Sequence, residues 1–185
     1  QYDRYINLIN DFEALFGKDR DVRLFSAPGR TQVGGNHTDH NHGRVLAAGI
    51  NLDAIAAASK NDENIVRVKS EGYSMDVVDA AYRSVNPNEM GHSPALVRGV
   101  LAGFKKYGYK IGGFDATTAS RVIAGSGLSS SAAYEVLVGT MVNYLYNDGK
   151  VDAVTIAKIA QYAENEYFGK PCGLMDQMAC AVGGL

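Results

Sequence analysis

The chain has 185 residues, 46% of them hydrophobic, and a net charge of −2, which is the composition of a globular protein large enough to bury a core. So small a charge argues against nucleic acid or an anionic membrane as a partner, because either would need a basic face or run. Two cysteines, Cys172 and Cys180, are too few for a disulfide framework, and a cytoplasmic location is expected.

Apolar periodicity and turn residues predict strands and helices in a single α+β domain. In the first half we expect a helix at 5–16, a strand at 22–27 that Pro28 and Gly29 break, a polar loop at 30–43, and strand-like runs at 45–59, 65–69 and 75–78. In the second half we expect a helix at 94–107, strands at 114–120 and 121–123, and helices at 131–146 and 151–168. The chain begins with Gln1 and stops directly after an apolar segment, so we expect it to be a piece of a longer polypeptide.

A glycine-rich turn followed by serines precedes the helix predicted at 131–146. Its residues are Gly125, Ser126, Gly127, Leu128, Ser129, Ser130 and Ser131. The two glycines can adopt backbone angles that let N–H groups converge on an anion, and a helix N-terminus adds free N–H groups and a favourable dipole. The segment therefore predicts a nucleotide phosphate site in which one serine could hold Mg²⁺; the alternative is an ordinary turn capped by serine.

The polar loop contains three of the four histidines of the protein, His37, His40 and His42, together with Asn36 and Asp39. Histidine and aspartate at such spacing could bind zinc or a related ion. Alternatively, Asn36, His37 and Asp39 provide the mixture of donors and acceptors that suits a polyol such as a sugar. A solvated loop of ordinary turn residues is the third interpretation.

Asp176 is a single carboxylate on an apolar stretch directly after the turn Gly169-Lys170-Pro171-Cys172-Gly173. A carboxylate in such surroundings must be paired, hydrogen-bonded or functional, because an unpaired buried charge is costly. Asp176 is therefore a candidate functional residue.

Three segments in this order, Pro28-Gly29-Arg30 with Gly35-Asn36-His37-Thr38-Asp39, Gly127 to Ala132, and Pro171 to Gln177, resemble the galactokinase branch of the GHMP small-molecule kinases. The resemblance runs from about Ser26 to the last residues of the chain. It implies the GHMP kinase N-terminal fold, ribosomal protein S5 domain 2-like, a mixed sheet with helices packed on one side. It also implies that residues 1–185 are the sugar- and ATP-binding N-terminal domain and that a C-terminal domain is absent from this chain.

The resemblance also implies roles for individual residues. Asp176 would accept the proton of the anomeric hydroxyl of a sugar, and Arg30 would stabilise charge on the attacking oxygen and the transferring phosphoryl group. Ser131 and Glu164 would be the protein ligands of Mg²⁺ beside ATP. The sugar would be held by Asn36, His37, Asp39 and the backbone near Gly173. The alternatives are a structural ion pair for Arg30 and Asp176, and a surface charge for Glu164.

The sequence departs from the pattern of that branch at three places. Galactokinases usually have Glu at the position of Asn36 and Tyr at that of His40, and the segment Ser93–Gly99 lacks the Trp of many relatives. An amide in place of a carboxylate changes the donor and acceptor pattern offered to a sugar hydroxyl, so the preferred sugar could differ. No residues are assigned to an adenine pocket.

The leading hypothesis is an ATP-dependent sugar 1-kinase, with galactose as the first expected substrate. A kinase of another hexose, such as an amino- or N-acetyl-sugar, and a non-catalytic sugar sensor are the alternatives. A metal-binding protein built on the loop histidines is a further possibility.

Overall fold

A computed structural model describes residues 1–184, which form a five-stranded sheet with helices on both faces. The helices are α1 (Tyr2–Phe16), α2 (Ser93–Lys106), α3 (Ser130–Tyr146), α4 (Ala153–Tyr162) and α5 (Met175–Val182), and the strands are β1 (Arg23–Gly34), β2 (Leu46–Lys60), β3 (Ile65–Ser70), β4 (Met75–Asp79) and β5 (Phe114–Ser120). A π-helical segment, Ala163–Phe168, continues α4. Within the described part of the chain, no helix has the length and apolarity needed to cross a bilayer.

The strand order across the sheet is β1-β2-β5-β3-β4. Neighbouring strands are antiparallel except for β3 and β5, which are parallel. This confirms the mixed sheet that the family resemblance implies. It also places β1 and β4 at the two edges.

Strand β2, which lies between β1 and β5, is buried on both faces in its second half, because residues 54–58 are an unbroken run of apolar residues whose side chains alternate between the faces. On one face of the sheet lies the main core cluster, to which α2, α3, α4 and α5 contribute, with α4 packed on the other helices. On the other face α1 packs in a separate cluster, whose buried members are Leu8, Phe12, Ile55 and Ala57. The expectation that all helices lie on one side therefore holds for α2 to α5 and requires correction for α1.

Strand β1 does not end at Pro28, as the sequence predicts, but continues to Gly34. Its pairing with β2 shifts register between Pro28 and Arg30. Proline is tolerated because β1 is an edge strand, where one side of the backbone needs no partner. The continuation brings Arg30, predicted to lie in a loop, onto the end of the sheet.

The strand predicted at 121–123 is also absent, since β5 ends at Ser120. The Ser120 hydroxyl accepts a hydrogen bond from the N–H of Val122 at 3.0 Å, and such side-chain turns compete with strand pairing. The chain then passes through an irregular segment into α3. Helix α5 packs against β1, β2, α3 and α4, so the first turns of α3 and α5 lie at the same end of the sheet as Arg30.

Candidate active site

Arg30 and Asp176 form an ion pair between strand β1 and the first turn of helix α5. The Arg30 Nε donates to Asp176 Oδ1 at 2.6 Å. Arg30 is 7% exposed, whereas the Asp176 side chain retains 21% of its exposure. One carboxylate oxygen is therefore held by a buried guanidinium while the group remains accessible to a small molecule.

Arg30 also connects this pair to the glycine-rich turn. Its Nη1 donates to the carbonyl of Gly127 at 2.8 Å, and its backbone N–H donates to the carbonyl of Leu128 at 3.1 Å. Gly29 contributes by lacking a side chain, because a Cβ there would lie 2.9 Å from the Leu128 oxygen. Strand β1 and the turn are thus fixed to one another beside Asp176.

The loop after β1 returns toward the same ion pair through a left-handed backbone. Gly35, Asn36 and His37 have φ angles of 101°, 48° and 57°, a conformation that glycine and asparagine tolerate best. His37 Nε2 lies 3.2 Å from Arg30 Nη2 and 3.8 Å from Asp176 Oδ1. A guanidinium can only donate, so Nε2 accepts, and Nδ1 then donates to Asp39 Oδ1 at 3.4 Å.

Asp39 caps helix α5 from this loop. Its Oδ2 accepts a hydrogen bond from the N–H of Met175, the first residue of the helix, at 2.9 Å. Burial alone would raise the pKa of Asp39, but the hydrogen bonds from Met175 and His37 outweigh burial and lower it. Gly173 lies against this carboxylate, where an added Cβ would come within 2.0 Å of Asp39 Oδ2.

The glycine-rich turn presents open backbone beside the ion pair. Gly125 and Gly127 have φ angles of 78° and 76°, and a Cβ at either position would meet no atom within 4 Å. Ser129, at φ 59°, precedes the first residue of α3, whose first-turn N–H groups have no partner within the helix. The turn and helix end therefore have the accessible donors that a phosphate requires.

Ser131 and Glu164 meet at the start of α3. The Ser131 hydroxyl donates to Glu164 Oε1 at 2.9 Å. Glu164 lies in the π-helical segment and is only 2% exposed, and Lys170 Nζ lies 3.9 Å from the same oxygen. These two side chains are hard oxygen donors, of the kind that Mg²⁺ prefers, and they lie next to the glycine-rich turn.

Three further side chains lie behind Glu164: Glu135 and Gln177, which are fully buried, and Cys172, which is half-buried. Gln177 Nε2 donates to Glu164 Oε2 at 2.7 Å and to Glu135 Oε2 at 3.3 Å, while the Cys172 thiol lies 3.7 Å from Glu164 Oε2. Burial, with the neighbouring charge of Glu164, raises the pKa of Glu135 well above its usual value. The same two causes raise the pKa of Cys172 to about 12, so this thiol is not activated.

The structure brings together most residues that the sequence singles out. Arg30, Asp176, His37, Asp39 and Gly173 form one cluster, and the turn that contains Gly125, Ser126, Gly127, Leu128, Ser129, Ser130 and Ser131 adjoins it. Glu164 is buried against Ser131 rather than a surface charge.

The side chains of the other candidates in the histidine loop make no hydrogen bond to this cluster in the described part of the chain, although the backbone of His40 lies against Gly173. Asn36 is exposed, and His40 and His42 are also exposed. Among residues 1–184, no three His, Cys, Asp or Glu side chains are arranged to hold a metal ion.

Sequence reasoning missed four contributors to the site. These are the carbonyl of Gly127, the N–H of Met175, and the side chains of Glu135 and Gln177. Backbone groups leave no signal in a sequence. The sequence shows that Gln177 follows Asp176, but it does not show that the Gln177 side chain is buried in the core.

Comparison with known proteins places the chain in a family. The GHMP kinases N-terminal domain model matches residues 95–184, and the galactokinase galactose-binding signature matches residues 10–60. The chain is 36% identical to the galactokinase of Clostridium tetani over 180 residues, and 37% identical to that of Streptomyces coelicolor over 170. These alignments cover 95% and 92% of the chain but only 44% and 43% of the relatives.

Solved structures agree with the sequence comparison. A galactokinase of Lactococcus lactis in complex with galactose superposes with a TM-score of 0.87 at 30% identity, covering 94% of this chain and 45% of that one. The mevalonate kinase of Methanococcus jannaschii, with a TM-score of 0.73 at 17% identity, shares the fold. The chain therefore belongs to the GHMP kinases, in the galactokinase branch, and corresponds to the N-terminal half of its galactokinase relatives.

Proposed function

We propose that the protein of which this chain is the N-terminal half, hereafter the full-length protein, is a sugar 1-kinase that phosphorylates galactose from ATP. The observation that carries this proposal is the Arg30–Asp176 pair at 2.6 Å, located where the glycine-rich turn and the histidine loop meet. Phosphoryl transfer depends mainly on positioning and charge neutralisation. A paired, accessible carboxylate between two polar loops suits that requirement.

The glycine-rich turn would hold the phosphates of ATP. The residues assigned to it are Gly125, Ser126, Gly127, Leu128, Ser129, Ser130 and Ser131. Ser131 and Glu164 would hold Mg²⁺, which when bound neutralises charge on the phosphates. Support comes from the open backbone at both glycines and from the 2.9 Å contact between the two proposed ligands.

The histidine loop would hold the sugar on the other side of the ion pair. Asn36, His37 and Asp39 supply donors and acceptors, and Gly173 allows close approach of the backbone. Asp39 and His37 are already oriented by Met175 and Arg30, so little ordering would be required on binding.

Asp176 is proposed as the general base and Arg30 as the group that stabilises developing charge. The anomeric oxygen attacks the γ-phosphorus as its proton passes to Asp176; the new P–O bond forms, the bond to the β-phosphate oxygen breaks, and ADP leaves. Arg30 would stabilise the charge on the oxygen and the phosphoryl group. The ion pair also holds the accepting carboxylate oxygen in place.

A second candidate is the same reaction on another hexose. Asn36 is exposed in the loop and carries an amide, which donates as well as accepts, instead of the carboxylate usual in this branch, and this changes the hydrogen bonds offered to the substrate. In either case the working protein is proposed to combine this domain with a C-terminal half. The free thiols of Cys172 and Cys180 suit a cytoplasmic location.

Asp176→Asn in the full-length protein should abolish turnover while sugar binding survives. The amide keeps the shape of the side chain but cannot accept the proton, and loss of a general base lowers the rate by about 10²–10⁴-fold. Steady-state kinetics would measure turnover and calorimetry would measure sugar affinity. Asp62→Asn, at an exposed turn, is the matched control. Near-normal turnover in Asp176→Asn would refute the assignment of the base.

Gly173→Ala should weaken sugar binding more than nucleotide binding. The added Cβ would overlap Asp39 Oδ2, so the Asp39 carboxylate must move away from its present position. A misplacement of about 1 Å can cost about 10²-fold in activity, and we expect the KM for sugar to rise at least about tenfold. Gly127→Ala, which strains the phosphate turn, should instead raise the KM for ATP. If both variants changed the KM values for sugar and for ATP equally, the assignment of sugar to the histidine loop and of ATP to the glycine-rich turn would be contradicted.

Asn36→Glu should raise the preference for unmodified galactose over sugars altered at C2 or C6. The carboxylate has two acceptor oxygens and no donor, so it binds a sugar hydroxyl more strongly and rejects groups that cannot donate. Competition between galactose and each altered sugar would give the ratio of kcat/KM values. Asn36→Gln, which lengthens the side chain without adding charge, is the control. An unchanged ranking would mean that position 36 does not select the sugar.

A further inference from the structure

We propose that Gln177 is the positioning residue of the Ser131–Glu164 pair, a role that rests on the proposed function of this pair as a metal site. Gln177 is 0% exposed, although its neighbour Asp176 faces the open site. A buried amide is costly unless its polar atoms are bonded, and here the nitrogen Nε2 has acceptors on both buried carboxyl groups, whereas Oε1 has no partner among the described residues. The contacts of Gln177 point to a defined task.

The first contact distinguishes the two oxygens of Glu164. Gln177 Nε2 donates to Oε2 at 2.7 Å, and the Ser131 hydroxyl donates to Oε1 at 2.9 Å. The terminal torsion of a glutamate is broad, so the carboxylate would otherwise rotate over many orientations. With Oε2 held from the core, Oε1 remains directed at Ser131 and the start of α3.

Gln177 is itself held from behind. An amide nitrogen has two protons, and Nε2 lies 3.3 Å from Glu135 Oε2 as well as next to Glu164. The Cys172 sulfur lies 3.6 Å from the same nitrogen. Glu135, which is 0% exposed on helix α3, therefore fixes the direction of the amide that fixes Glu164.

The position of Gln177 on helix α5 connects the two halves of the site. Successive residues of an α-helix point about 100° apart, so adjacent side chains face different surroundings. Asp176 faces Arg30 and Gln177 faces Glu164 from the same helical turn. A shift of α5 would therefore move the proposed base and the support of the metal ligand together.

The test measures binding of Mn²⁺, as a probe for Mg²⁺, to the full-length protein with a non-hydrolysable ATP analogue, by electron paramagnetic resonance. Gln177→Met keeps the length of the side chain but removes the donor. Loss of groups that orient metal ligands typically costs 10–100-fold in metal affinity, so Mn²⁺ affinity should fall about tenfold or more. Sugar affinity, measured by calorimetry, should stay within about threefold, because the contacts of Asp39 with Met175 and of His37 with Arg30 are untouched.

The matched control is Asn143→Leu, which removes a buried amide near the other end of α3 where it bonds the backbone of Val151. It should lower the melting temperature without changing Mn²⁺ affinity. If Gln177→Met does not fold, Gln177→Asn, whose shorter amide cannot span to Glu164, should weaken Mn²⁺ binding in its place.

The outcomes separate this role from the proposed function. Suppose that the unaltered protein binds Mn²⁺ tightly and that Glu164→Ala abolishes this binding. Unchanged Mn²⁺ affinity in a folded Gln177 variant would then overturn the role of Gln177 and leave the metal site standing. A fall in Mn²⁺ and sugar affinity in parallel with lost stability would show that Gln177 is only structural. Absence of nucleotide-dependent Mn²⁺ binding by the unaltered protein would overturn both the metal site and this inference.

Discussion

The site depends on the placement of one buried guanidinium. Arg30 reaches Asp176 on α5, the carbonyl of Gly127 in the glycine-rich turn and the ring of His37 in the histidine loop. Because it has five donors in a fixed plane, it sets the distances among three segments that are far apart in the sequence. Its own position follows from strand β1, which passes Pro28 by a register shift and carries Arg30 to the end of the sheet.

Helix α5 directs one polar side chain toward the open site and the next one into the core. Asp176 is paired with Arg30 yet accessible, whereas Gln177 is enclosed with Glu135 and Glu164. The cap from Asp39 fixes where this helix begins, so a residue proposed to bind sugar also determines where Asp176, the proposed base, lies. The hydrogen bond from Met175 to Asp39 therefore links a proposed sugar ligand to the proposed base, and beside it Gly173 has no room for a Cβ.

Much of this arrangement could be predicted because the segments that form it are local and chemically distinctive. The glycine-rich turn, the histidine loop and Asp176 were each visible as motifs, and the pairing of Arg30 with Asp176 followed from the family resemblance. Other features were not predictable for physical reasons. The two faces of alanine-rich β2 look alike, so the sequence could not place α1, and Pro28 is tolerated only because β1 is at an edge. A polar residue such as Gln177 in an apolar helix does not reveal whether it meets water or a buried partner.

The most direct test of the account is mass-spectrometric detection of product after the full-length protein is mixed with ATP, Mg²⁺ and, separately, galactose, galactosamine, N-acetylgalactosamine and glucose. We expect a sugar 1-phosphate and ADP in equal amounts, with galactose as the first expected substrate and an amino- or N-acetyl-sugar as the alternative that Asn36 leaves open. Formation of no phosphorylated sugar from any of them, while calorimetry still shows sugar binding, would contradict the kinase assignment and favour a sugar sensor.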